Sequence, residues 1–287
     1  MYLYRQKYII GAALKRLKES FRPQSVFDFS SRKLSSATIE EIASLRPNEA
    51  ALMSLPMYQG LTMPRFALSG ANCHPFITAL QKLNMLENED FSSDLSWLIN
   101  EMGRFYEQYQ PRNALALLEI QDLRSTTLEH IPAYAAVLPW DCVTHQQELK
   151  SKLKSVQVEN ALAGYGLDIT HGWAWSGPVS SQKLTVEAKR LLKVFRSIQS
   201  NGYLRSNNPD GDISASLLVN DNGNIKWQAR VGQHRTIALA ALNYDEVPIK
   251  ITRVIKRSNV KSWGNVASGL FSSAQALAVF DNHFASE

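Results

Sequence analysis

Apolar positions along the chain fall into two rhythms, one of three and four residues and one of two. Ala188, Leu191, Leu192, Phe195 and Ile198 keep the helical rhythm and predict a helix over 185–201 with one buried face. Thr185 stands where an N-cap belongs, Glu187 falls in the first turn, and Gly202 follows as a stop. Leu95, Leu98, Ile99 and Met102, continued by Phe105, Tyr106 and Tyr109, form a second helical stripe that reads as core. From 39 to 145 the pattern is mainly helical, punctuated by prolines from Pro47 to Pro139, with Thr38 as a cap before Glu40. Tyr2 to Phe21 reads as a basic helix that either lies on a membrane surface or packs on the body of the protein.

The period of two appears later. Ser216 to Asn220 reads as a strand, and Asp221-Asn222-Gly223-Asn224 has the composition of a tight hairpin turn. In the strand after it, Ile225, Trp227, Ala229 and Val231 face one way and Lys226, Gln228 and Arg230 the other. Gly232-Gln233-His234-Arg235-Thr236 then leads into a short helix rich in alanine (Ala238, Ala240, Ala241), ended by Asn243. Val247 to Ile251 is one more strand, and a helix from about 266 to 284 closes the chain. The expected fold is therefore α/β, with a mainly helical N-terminal region over 1–145 and a mixed α/β domain over 146–287.

Composition narrows the function classes. At 287 residues with 45% hydrophobic and 9% aromatic side chains, the chain has ample core and is not disordered. The apolar run Tyr8 to Leu14 is far short of the roughly twenty residues that a membrane span needs. Two cysteines, Cys73 and Cys142, with no CxxC, fit reduced thiols in a cytoplasmic protein. The net charge is +5, with the acidic excess concentrated in 39–145 and basic excess in 1–38 and 146–205. Internal docking of these segments is the economical reading, and so small a net charge argues against nucleic acid as the partner.

Chemistry concentrates in the second half. Strand, glycine, basic cluster and helix in that order aim backbone N–H groups and a helix dipole at one point, which suits an anion. Gly232 lets the backbone come close, His234 donates a hydrogen bond, and Arg235 grips a phosphate with two; an ordinary surface cation is the plain alternative for Arg235. His171-Gly172-Trp173-Ala174-Trp175-Ser176 either offers flat faces to a sugar or base or fills the joint between the two halves. Asp210 and Asp212 either help to hold a metal or belong to a polar loop.

Over roughly residues 178–255 the sequence resembles the ParB/sulfiredoxin superfamily. The resemblance rests on the helix Leu191 to Ile198 before Asn201-Gly202, the hairpin 216–231, and Gly232-Gln233-His234-Arg235 followed by an alanine-rich helix and Val247-Pro248. It implies a nucleotide-binding domain, and three branches differ in use. Sulfiredoxins carry a catalytic cysteine where this chain has Gln233, which excludes their mechanism. Chromosome-partition proteins need a DNA-reading module after this domain, and residues 255–287 are short for it. Free-serine kinases share the His-Arg pair, although they carry Asp where Val231 stands here.

That last branch implies ATP with Mg2+ and phosphoryl transfer to a small-molecule or glycan hydroxyl. The expected nucleotide-binding residues are Gly232, Gln233, His234, Arg235, Thr236 and Lys183, with Glu187 and His234 as the catalytic pair. Glu187 is either the catalytic base or an acid that merely favours the start of its helix, and Lys183 either reaches a phosphate or is a solvated cation. The alternative function is a non-catalytic, DNA-associated binding module of ParB descent.

Overall fold

The computed structural model describes residues 25–86, 90–121, 126–205 and 212–285. The expected basic helix over 2–21 and Asp210 lie outside these residues. In chain order the elements are β1 (Ser25–Asp28), α1 (Ser36–Ala43), β2 (Glu49–Pro56), β3 (Gly60–Leu61), α2 (Pro75–Met85), α3 (Phe91–Gln108) and α4 (Ala114–Leu117). They continue with α5 (Thr126–Glu129), α6 (His145–Leu162), α7 (Ser181–Asn201), β4 (Ser214–Val219), β5 (Ile225–Val231), α8 (Gln233–Ala241), β6 (Glu246–Lys256), α9 (Gly264–Ala267) and α10 (Ser273–Asn282).

The fold is α/β. Six strands form one mixed sheet in the order β1-β2-β6-β4-β5-β3. β2 pairs antiparallel with β6, β6 runs parallel to β4, and β4 and β5 form the expected hairpin. Asn220 closes its turn, with its side-chain oxygen accepting from the N–H groups of Asn222 and Asn224, while Gly223 takes φ +79°.

Both faces of this sheet are covered. On one, Met53, Leu55, Leu217, Trp227 and Ile249 pack against α2, α3, α7 and α8. On the other, Leu218 and Ile255 meet Trp140, Trp263, Phe271 and Phe280. The alternation expected for β5 therefore decides which layer each residue meets. Trp227 is fully buried on the first face, and Gln228 is equally buried on the second, where its side-chain nitrogen lies 3.1 Å from His283 Nε2.

The division expected at residue 145 is not a boundary of the fold. β1, β2 and β3 come from the first part and β4, β5 and β6 from the second, yet all share one sheet. The physical reason is that β2, buried along most of its length, completes its ladder only against β6. The region before 145 carries these strands as well as its helices, and the closing helix expected over 266–284 is split into α9 and α10.

Candidate active site at the start of α8

The start of α8 is built by a left-handed glycine. Gly232 follows β5 with φ +85° and ψ +26°, and α8 begins on the next residue with no side chain capping it. The first N–H groups of such a helix have no intrahelical acceptor and point out of its end. A Cβ on Gly232 would stand 3.1 Å from Arg235 Nη2 and from Ile213 Cγ1, so the guanidinium folds back beside the glycine. Two of the expected binding side chains are committed elsewhere. Gln233 Oε1 accepts from Met63 N–H at 2.8 Å and its Nε2 donates to Ala229 O, while the buried Thr236 hydroxyl donates to Gly232 O at 3.1 Å. Both side chains hold the turn together.

Helix α7 begins earlier than the sequence suggests. Its cap is Ser180, whose hydroxyl accepts from Lys183 N–H, whereas Thr185 sits inside the helix and donates to Ser181 O. Glu187 is consequently in the second turn and buried, at 1% exposure. Its Oε1 accepts from Lys183 Nζ at 2.6 Å and from Arg190 Nη1 at 2.8 Å, and Lys183 also donates to Asn160 Oδ1 at 2.8 Å. Asn160 is fixed in turn, because its Nδ2 donates to Leu167 O.

Its other carboxylate oxygen faces α8. Glu187 Oε2 lies 3.3 Å from His234 Nε2 and has no hydrogen-bond partner. Burial alone would push this carboxyl up; the His234 ring against Oε2, with Lys183 and Arg190 on the other side, outweighs burial and holds it below the usual range. Glu187 is thus ionised and covered. It cannot touch an acceptor itself, which corrects its expected role as the base, and it acts on whatever His234 does.

Lys183 is corrected too. At 2% exposure, and bonded to Asn160 and Glu187, it is a buried counter-ion that reaches no phosphate.

Aromatic rings complete the surroundings. Trp175 packs on His234 with ring centroids 5.1 Å apart. The loop that carries Trp175 is tied to α3, since Tyr106 donates to Ala174 O at 2.8 Å and Gly177 N–H donates to Tyr109 O at 2.9 Å. Behind the site His74 is wholly buried. Its Nδ1 accepts from Phe76 N–H, its Nε2 has no partner, and burial, followed by the His234 charge, pushes it down to about 3.

The structure therefore brings Gly232, His234, Arg235, Glu187 and Lys183 together. Asn160, Arg190 and His74 were not anticipated. For Arg190 the signal was present, as the i, i+3 partner of Glu187 on the helix face that also carries Lys183 at i−4; nothing local marked Asn160 or His74. Asp212 pairs with Arg205 and Lys250, and among the described residues no three His, Cys, Asp or Glu side chains stand together as metal ligands. A groove of about 430 Å³ between α5 and α6, lined by residues that include His130, Ile131, His145 and Leu149, shares no residue with this cluster.

Among the described residues no helix is long and apolar enough to cross a membrane, and Cys73 and Cys142 are both free thiols. No family model, no curated protein and no solved structure matches the chain.

Proposed function

We propose that the chain is a nucleotide-binding phosphotransferase of the cytoplasm, transferring a phosphoryl group from ATP to a small-molecule or glycan hydroxyl. The observation that carries the reading is the pairing of a left-handed Gly232 at an uncapped helix start with His234, held over a buried carboxylate. Charge that develops on a transferring phosphoryl group needs donors already in position, and the N–H groups of α8 with Arg235 supply them. Mg2+ bound to the donor's phosphates would neutralise part of their charge. His234 belongs to the first turn of α8 and its side chain is 22% exposed, so in this reading it is the group that meets substrate. Glu187 positions it, with Lys183 and Asn160 holding Glu187.

Calorimetry with Mg·ATP, Mg·ADP and Mg·CTP tests the reading. Saturable binding that weakens at least tenfold in Arg235→Ala is expected. No binding of any of the three, or an Arg235→Ala protein indistinguishable from wild type, would overturn it. Binding to duplex DNA that collapses as salt rises would instead favour the DNA-associated alternative.

A further inference from the structure

We infer that His234 Nδ1 is a phosphorylation site, and that transfer runs in two steps through a phosphohistidine on this chain. The inference rests on the phosphotransferase reading and adds the order of bond changes to it.

The geometry distinguishes the two ring nitrogens. Nε2 is turned inward, 3.3 Å from Glu187 Oε2, and that oxygen is buried with no hydrogen-bond partner. A carboxylate beside Nε2 selects the tautomer with its hydrogen there, which leaves the lone pair on Nδ1. The ring is 22% exposed, so it is neither sealed like His74 nor free to reorient in solvent. Trp175 packs on it at 5.1 Å and limits its rotation. Two features outside the ring belong to the same turn of the chain. His234 is the second residue of α8, so the N–H groups that suit a phosphate belong to its own turn, and Arg235 is its neighbour. The carboxylate behind it already has Lys183 and Arg190 on Oε1, so Oε2 is the atom left to hold the Nε2 hydrogen.

The steps balance without any further reactant. The Nδ1 lone pair attacks the γ-phosphorus of ATP, the N–P bond forms, and the bond from that phosphorus to the β,γ-bridging oxygen breaks. The electron pair leaves on ADP, and the ring, still carrying its Nε2 hydrogen, becomes cationic against Glu187 Oε2. An acceptor hydroxyl oxygen then attacks the same phosphorus, the N–P bond breaks, its electron pair returns to Nδ1, and the hydroxyl proton passes to solvent. Nothing is oxidised or reduced. A buried carboxylate matched to a transient imidazolium lowers the barrier of both steps, as it does when histidine serves as a base.

The test uses the full chain with Mg·ATP and no acceptor. Isotope exchange between labelled ADP and ATP is expected, together with a label on the protein that survives alkali and is lost in acid, located at His234 by mass spectrometry. His234→Gln should abolish both exchange and label while melting within a few degrees of wild type. Glu187→Gln should slow the exchange without shifting the site of the label. Binding of Mg·ATP with no exchange and no label would overturn the inference and leave the phosphotransferase reading standing. A label on any residue other than His234, or exchange that survives in His234→Gln, would overturn it as well. Failure to bind Mg·ATP at all would overturn both.

Discussion

Lys183 Nζ and Glu187 Oε1 lie 2.6 Å apart, one helical turn along α7, with the two side chains 2% and 1% exposed. A covered ion pair is kept in place by the cost of breaking it, because removing one charge strands the other. Lys183→Met is therefore expected to destabilise the fold by about 3–5 kcal/mol. Arg190 and His234 still face Glu187, so the loss should fall toward the lower end. Lys183→Met combined with Glu187→Leu should recover most of it, since no carboxylate then remains buried at this place in α7. Urea denaturation of the two variants checks this. A double variant as unstable as the single one would show that the pair is not the unit that matters.

The loop carrying Trp175 should be sensitive to a single methyl group. A Cβ on Gly177 would stand 1.8 Å from the Tyr106 carbonyl oxygen, which is backbone and cannot swing away. Gly177→Ala must therefore push the 173–178 segment off α3, at about 1–3 kcal/mol as for other overpacked sites. Trp175 would leave His234, and nucleotide binding should weaken with it. Tryptophan fluorescence and calorimetry on the folded variant read the two effects. Unchanged affinity alongside a displaced Trp175 would remove this ring from the site.

Much of this architecture was legible because its signals are local. The hairpin from β4 to β5 follows from strict alternation around Asn222-Gly223, and α8 follows from a glycine before a run of good helix formers. β2 was not legible. Ala50, Ala51, Leu52 and Met53 are better helix formers than strand formers, and only pairing with β1 and β6 makes them extended. The domain division at 145 failed for the same reason, since ladders between distant segments leave no local mark. At the site, the Gly232 turn could be read from its order, whereas the turning of Gln233 toward Met63, 170 residues away, could not. Burial of Glu187 was hidden by the choice of Thr185 over Ser180 as the cap.

Acid should weaken the fold through two histidines. Burial pushes His74 down to about 3, with the His234 charge adding to it, and pushes His283 down to about 4 despite its hydrogen bond with Val279 O. Both are neutral when folded, and in the unfolded chain both take up a proton near pH 6.5. Above that pH neither affects the balance. As pH falls below 6.5 the unfolded chain binds protons that the folded one refuses, so stability declines until the folded values are reached. For His283 the decline between 6.5 and about 4 amounts to roughly 3 kcal/mol. Glu187, held below its usual range, acts in the same direction once the pH drops under the ordinary carboxylate value. Thermal melts from pH 7 to 4 should show the slope, and His283→Gln should flatten it. Parallel curves for the two proteins would contradict the assignment of a neutral His283.

Two glycines separate backbone strain from site chemistry. Gly232 and Gly223 have nearly the same left-handed φ, +85° and +79°. Alanine at either position adopts that conformation at about 1–2 kcal/mol, so both variants should lose comparable stability. Their surroundings differ. A Cβ on Gly223 meets nothing within 4 Å, whereas one on Gly232 meets Arg235 Nη2 at 3.1 Å and the backbone of Ile213 at 3.3 Å. The guanidinium is the flexible neighbour and must give way, taking with it one of the charges that face the start of α8. Gly232→Ala should therefore weaken Mg·ATP binding well beyond what its melting temperature explains, and Gly223→Ala should leave binding unchanged. Equal affinities in the two variants would mean that phosphate does not sit at the Gly232 turn, and the candidate site would have to be sought elsewhere in the fold.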